Sequence, residues 1–167
     1  MSCSGAFPMT SPNSDESIFN ERRIHQAVMP AVNGISNAHS LARIYALLIG
    51  DVNENGNKTA CLLSKKTLKL ATKNVTPANE HDQILFGLTT KFSRGGFGLH
   101  SDFFNVLGED GFGHHGFGGS LAYASLSLHL AFAYTFNQLS FDTLAVDPRN
   151  LQFFEIIDAI IKKKKTS

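Results

Sequence analysis

Ten consecutive residues, Gly111-Phe112-Gly113-His114-His115-Gly116-Phe117-Gly118-Gly119-Ser120, hold five glycines, two adjacent histidines and a serine. Imidazole can move a proton or bind a metal, and glycine lets backbone approach a ligand with no Cβ in the way. Several chemistries can be weighed against this composition. Side chains at i and i+1 of a strand diverge, and no third ligand follows His114-His115 at a recognisable spacing, so no metal site is expected. A phosphate cradle needs a strand-to-helix switch with GxGxxG or GxxxxGK[ST], and the residues after Ser120 read as strand. A triad of Ser120, His100 and Asp102 has no spacing that supports it. No cofactor is implied.

The elements around the stretch give it a frame. Residues 130–136 alternate strictly: Leu130, Phe132, Tyr134 and Phe136 point one way, Ala131, Ala133 and Thr135 the other. This is a strand with a large-residue face and a small-residue face, and the small face suits a closely packed helix. Strands are expected near 84–91, 96–100 and 112–118, with a hairpin of 120–125 against 128–137. Its turn, Ser125-Leu126-Ser127-Leu128, has poor turn chemistry, so a longer hairpin or a looser register is expected.

Helices are expected at 37–49, capped by Ser36 and stopped by Gly50, with Leu41, Ile44, Tyr45, Leu48 and Ile49 at helical spacing. A second runs from Ser64, its cap, to about Lys73, with Leu63 stapled to Leu68. A third starts at Asp147-Pro148 and runs over 148–163 with a stripe of Leu151, Phe154, Ile157 and Ile161. Glu21–Gln26 can form a helical turn. Asp51–Lys58 reads as a polar turn, and residues 1–18 as loop or disorder. The fold class is therefore α+β, an antiparallel sheet flanked by helices.

The totals exclude other classes. The chain has 167 residues, 43% hydrophobic and 17% charged, with a net charge of +1. That suffices for a core and gives no reason to expect nucleic acid. Cys3 and Cys61 make neither a disulfide framework nor a metal spacing. Lys162–Lys165 read as a solvated helix end that offsets the helix dipole, not a membrane or nucleic-acid patch. The triplets at Asn57 and Asn74 match the glycosylation sequon but matter only in a secreted chain. No run spans a bilayer and no signal pattern opens the chain, which favours a cytoplasmic protein.

The stretch Phe112–Ser120, followed by Leu121-Ala122-Tyr123-Ala124 and by Leu130–Asn137, resembles the end of the class C β-lactamase-like serine hydrolases. That group includes penicillin-binding proteins and certain carboxylesterases, with an F-G-H-x-G-x-G-G-S segment as the third active-site motif. Pro30-Ala31-Val32-Asn33-Gly34-Ile35 and the run Ala38–Leu48 resemble the same family. The resemblance implies a third-motif strand beside an acyl group. His114 takes the place of the family's Lys or His, Gly116 that of its glycine, and the N–H of Phe117 that of an oxyanion donor. Ester or amide cleavage also needs an activated hydroxyl. In the family, Ser-x-x-Lys supplies nucleophile and base, and a Tyr-x-Asn element assists. Neither is present: no lysine has a serine three positions before it, and Tyr45, Tyr123 and Tyr134 precede Leu47, Ser125 and Phe136 by two.

The resemblance thus implies that residues 19–165 form the C-terminal part of a β-lactamase-related domain, with no complete catalytic set. The parent family acts on small acyl substrates. The alternative is a non-catalytic pseudo-enzyme that binds a partner or small ligand beside His114. In the family an N-terminal strand pairs with the last strand, so 128–137 is expected to be an open apolar edge. It would receive a second copy or a missing N-terminal segment.

Overall fold

A computed structural model describes residues 17–83, 87, 89–100, 108–116, 118–139 and 147–166. The chain falls into two units, Met1–Ser36 and Asn37–Ser167. In the first, Ser17 caps a 3-10 turn, Ile18–Asn20, and α1 follows at Arg22–His25. The Asn33 amide donates to the carbonyls of Ile24 and Ala27 at 2.7 and 2.8 Å and holds the following turn against α1.

The second unit is an α+β layer structure. Its order is α2 (Ala38–Ile49), β1 (Val52–Glu54), β2 (Asn57–Thr59), α3 (Lys65–Ala71), β3 (Gly98–Leu99), β4 (Phe112–His115), β5 (Leu121–Ser125), β6 (Leu130–Tyr134) and α4 (Pro148–Thr166). Strands β3-β4-β5-β6 form one antiparallel sheet in that order.

Side-chain size sets the layers. Across β5 and β6, four of the five pairs match in size: large with large (Leu121 with Tyr134, Tyr123 with Phe132) and small with small (Ala122 with Ala133, Ala124 with Ala131); next to the turn, Ser125 faces Leu130. The alanine side receives α2, whose backbone comes close to β5 and β6. There Tyr45, Leu48 and Ile49 join Phe112, Ala124, Ala131, Leu68 and Phe97 in one cluster. The large side receives α4: Phe154 packs with Leu121 and Tyr123, and Phe153 lies 4.5 Å from the Tyr134 ring. An aliphatic or aromatic side chain fully buried in this way contributes about 1.5–3 kcal/mol.

Several expectations are corrected. The cap of α2 is Asn37, whose Oδ1 accepts from Ser40 N at 2.8 Å, and Ser36 stands one residue too early. On that helix Ile44 is 46% exposed and Leu47 is buried. Ser64 does cap α3, accepting from Thr67 N at 3.1 Å, and Leu63 meets the cluster of Leu68. Asp51–Lys58 is not merely a turn: Asn55 (φ 51°) and Gly56 (φ 79°) close the β1–β2 hairpin, the two-residue geometry that Asn-Gly favours.

The strand expected at 84–91 lies partly outside the described residues. Its described remainder is irregular, and Phe92 and Ser93 make only isolated bridges, to Gly98 and Asn74. The strand expected at 112–118 ends at His115. Helix α4 continues through the lysines to Thr166, and Leu151, placed on its apolar stripe, is 46% exposed.

The β5–β6 hairpin keeps a full five-pair register despite its weak turn residues. Asp110 explains this. Its carboxylate accepts from Ser125 Oγ (2.7 Å), Ser127 Oγ (2.8 Å) and Ser127 N (2.7 Å), and His129 takes a left-handed φ of 48° to close the turn. A carboxylate from another element replaces the missing turn chemistry.

Candidate functional site

Strand β4 pairs with β5 as Phe112–Ala124, Gly113–Tyr123, His114–Ala122 and His115–Leu121. Alternation therefore sends Phe112 and His114 to the face that carries α2, and Gly113 and His115 to the α4 face. Phe112 is fully buried there, with its ring 5.0 Å from Phe97 and 6.2 Å from Tyr45. His114, two residues on, is exposed. The cluster that seals the start of β4 thus leaves its end open, with an imidazole standing on it.

Gly113 is required by proximity: a Cβ there would overlap the Ala122 carbonyl. Any side chain would push β4 off β5 and move His114 with it. His115 is half-buried. Burial, and secondarily the charge of His114, pull its pKa down to about 4. It is a neutral packing residue at neutral pH. The two histidines lie on opposite faces and do not converge on one ion, and no metal-binding group of three or more such side chains occurs among the described residues.

After β4 the chain turns sharply. Gly116 N donates to Ser120 O at 2.6 Å, and Gly119 N to Gly116 O at 3.2 Å. Phe117, the expected oxyanion donor, lies outside the described residues. Gly118 (φ 88°) and Gly119 (φ 113°) adopt backbone that L side chains rarely take, and a Cβ on Gly119 would run into the Asp147 carboxylate.

The N-terminus of α4 holds this turn, a role that sequence reading missed. Asn150, fully buried, donates from Nδ2 to Gly119 O at 2.7 Å. Arg149 donates to Gly118 O at 3.2 Å and to Gln138 O at 3.3 Å. It also grips Asp147 with two parallel bonds of 2.8 and 2.6 Å, and its guanidinium lies 3.5 Å over the Phe136 ring. These bonds hold the Asp147 carboxyl below its ordinary range, while Asp147 still caps α4 by accepting from Arg149 N at 2.9 Å. The only signal in sequence was the clustering of Asp147, Arg149 and Asn150 behind a cap.

The other expected groups do not assemble. Ser120 Oγ accepts from Phe136 N at 3.1 Å, a structural bond, and Asp102 lies outside the described residues. His100 lines a cleft near the start of β4 with Lys65, Lys69, Lys91 and Asp110, away from His114. Burial pushes the Tyr45 phenol up to about 12, and burial with the nearby Asp110 charge raises that of Tyr123, so neither is poised as a base. Among the described residues no hydroxyl is hydrogen-bonded to His114. The arrangement is an exposed imidazole on a strand end, beside a glycine turn held by the start of α4.

The fold, an antiparallel sheet between helices, is that of a partial β-lactamase-like protein. The solved structure of a family VIII carboxylesterase superposes on it with a TM-score of 0.68 and 27% identity, over 81% of this chain. The chain spans 35% of that structure's length. No protein-family model matches the chain, and no curated protein matches it. Among the described residues no helix is long and apolar enough to cross a membrane.

Proposed function

We propose that residues 19–165 are the C-terminal part of a β-lactamase-related serine hydrolase of ester or amide bonds, inactive by themselves. The observation that carries this reading is His114, exposed at the end of a strand whose beginning is sealed. The family resemblance gives it the third-motif position, and the fold shared with a carboxylesterase supports that reading. In the reaction, His114 contacts the polar group of a small acyl substrate. Gly116 takes the place of the motif's glycine, and the Phe117 N–H donates to the oxyanion that forms when a serine Oγ attacks the carbonyl. The serine and its base come from a Ser-x-x-Lys segment that this sequence lacks.

A second reading is favoured by that same lack. The chain acts as a pseudo-enzyme and binds a partner or small ligand in the groove beside His114. In either reading the edge at 128–137 is open to a second copy or to an upstream segment.

Treatment with a fluorophosphonate probe and a chromogenic ester separates the readings. The chain alone should neither label nor turn over ester. A longer chain that adds the upstream sequence should do both, and His114→Ala in it should lower ester turnover by tenfold or more, about 1.4 kcal/mol. Labelling of a serine in the chain alone would overturn the assignment. An unlabelled longer chain favours the pseudo-enzyme.

A further inference from the structure

Strand β6 ends the sheet, and among the described residues no strand pairs with its outer edge. Natural edge strands are commonly blunted by charge, proline or a bulge. Strand β6 has none of these: from Gly111 to Phe141 the sequence contains no Asp, Glu, Lys, Arg or Pro. All five of its residues, Leu130 to Tyr134, remain half-exposed.

The order of sizes along β6 is the same in both directions: large, small, large, small, large. We infer that β6 pairs antiparallel with β6 of a second copy, about a two-fold axis through Phe132. In that register Leu130 opposes Tyr134 of the second copy, Ala131 opposes Ala133, and Phe132 opposes itself. β5 already sets large on large and small on small against residues 131–134 of β6, and only Leu130 faces a small residue, Ser125. A shift by one residue would set large against small and break both layers. The two four-stranded sheets become one of eight strands, alanines on one face and aromatics on the other, with no like charges brought together. An isologous contact of this kind closes at two copies.

The inference rests on the open edge described above, but not on hydrolysis: probe labelling decides one and molecular mass the other. A five-residue strand pair is small beside the ~1,000 Å² of a stable interface. Sedimentation equilibrium is therefore run from about 1 μM to about 1 mM, where weak association populates. The expected result is a monomer–dimer equilibrium ending at twice the 18.2 kDa monomer, with the slowing of amide exchange at Leu130–Tyr134 following dimer population.

Register is tested with Cys3 and Cys61 replaced by serine. Phe132→Cys should oxidise to a covalent dimer. Ala131→Cys should not, unless mixed with Ala133→Cys. Because Phe132 also packs against α4, the unsubstituted chain's mass and exchange decide the matter if Phe132→Cys unfolds. A monomer throughout with fast β6 exchange overturns the inference. So does β6 protection independent of concentration, which means that the chain or an upstream segment covers the edge. Species that grow beyond dimer, or equal cross-linking at 131, overturn it as well.

Discussion

His114 stands in solvent on the face that carries α2, whereas His115 turns toward Leu121 and the aromatic layer. That difference makes His115 a pH sensor of stability. Its pKa is about 4 when folded and near 6.5 when unfolded. Between those values the unfolded chain binds the extra proton, so stability is complete above pH 6.5 and falls as pH drops toward 4. The fall from this group should total up to about 3 kcal/mol. Urea midpoints at pH 7 and pH 4.5 should converge in His115→Gln relative to the parent chain. An unchanged pH dependence in the variant would show that His115 is not buried as described.

Hairpins and helices are legible in sequence wherever their determinants are local. Ser64 and Asp147-Pro148 announce α3 and α4, and period-two alternation announces β6. Asn55-Gly56 equally announces β1–β2, a hairpin signal that the reading of a polar turn understates. Contacts between distant residues have no such local mark. Asp110 reaches Ser125 and Ser127 from 15 and 17 positions away, and Asn150 reaches Gly119 from 31. The expectation of a loose β5–β6 register fails because the turn is stabilised from outside itself. Removing that support tests the account. Asp110→Ala should cost about 1–2 kcal/mol, the loss of hydrogen bonds to a charged acceptor at a partly exposed site. Faster amide exchange should be centred on 125–130. A variant as stable as the parent, with an unchanged hairpin, would mean that the turn residues suffice.

At the scale of the second unit, one sheet separates two unlike helical layers, and Phe154 links α4 to the centre of that sheet. Truncating it removes contacts with Leu121 and Tyr123 and leaves a cavity. Phe154→Ala should cost about 3–5 kcal/mol. If the unit is a single cooperative block, thermal unfolding monitored at α2 and at α4 should shift together. A downshift confined to α4, with β5–β6 still protected, would show that the terminal helix is a separable lobe.

The alanine side of the sheet has a consequence for how the chain can change over generations. Where α2 rides on the fully buried Ala124, the methyl is the smallest side chain that still fills space, so there is no slack to trade. Enlarging it must lift the helix, and shrinking it to glycine forfeits strand stiffness. The aromatic side can exchange volume between neighbours, a Leu for a Met or a Phe for a Leu, and absorb the difference. Drift should therefore accumulate on one side of the sheet while the other stays nearly frozen.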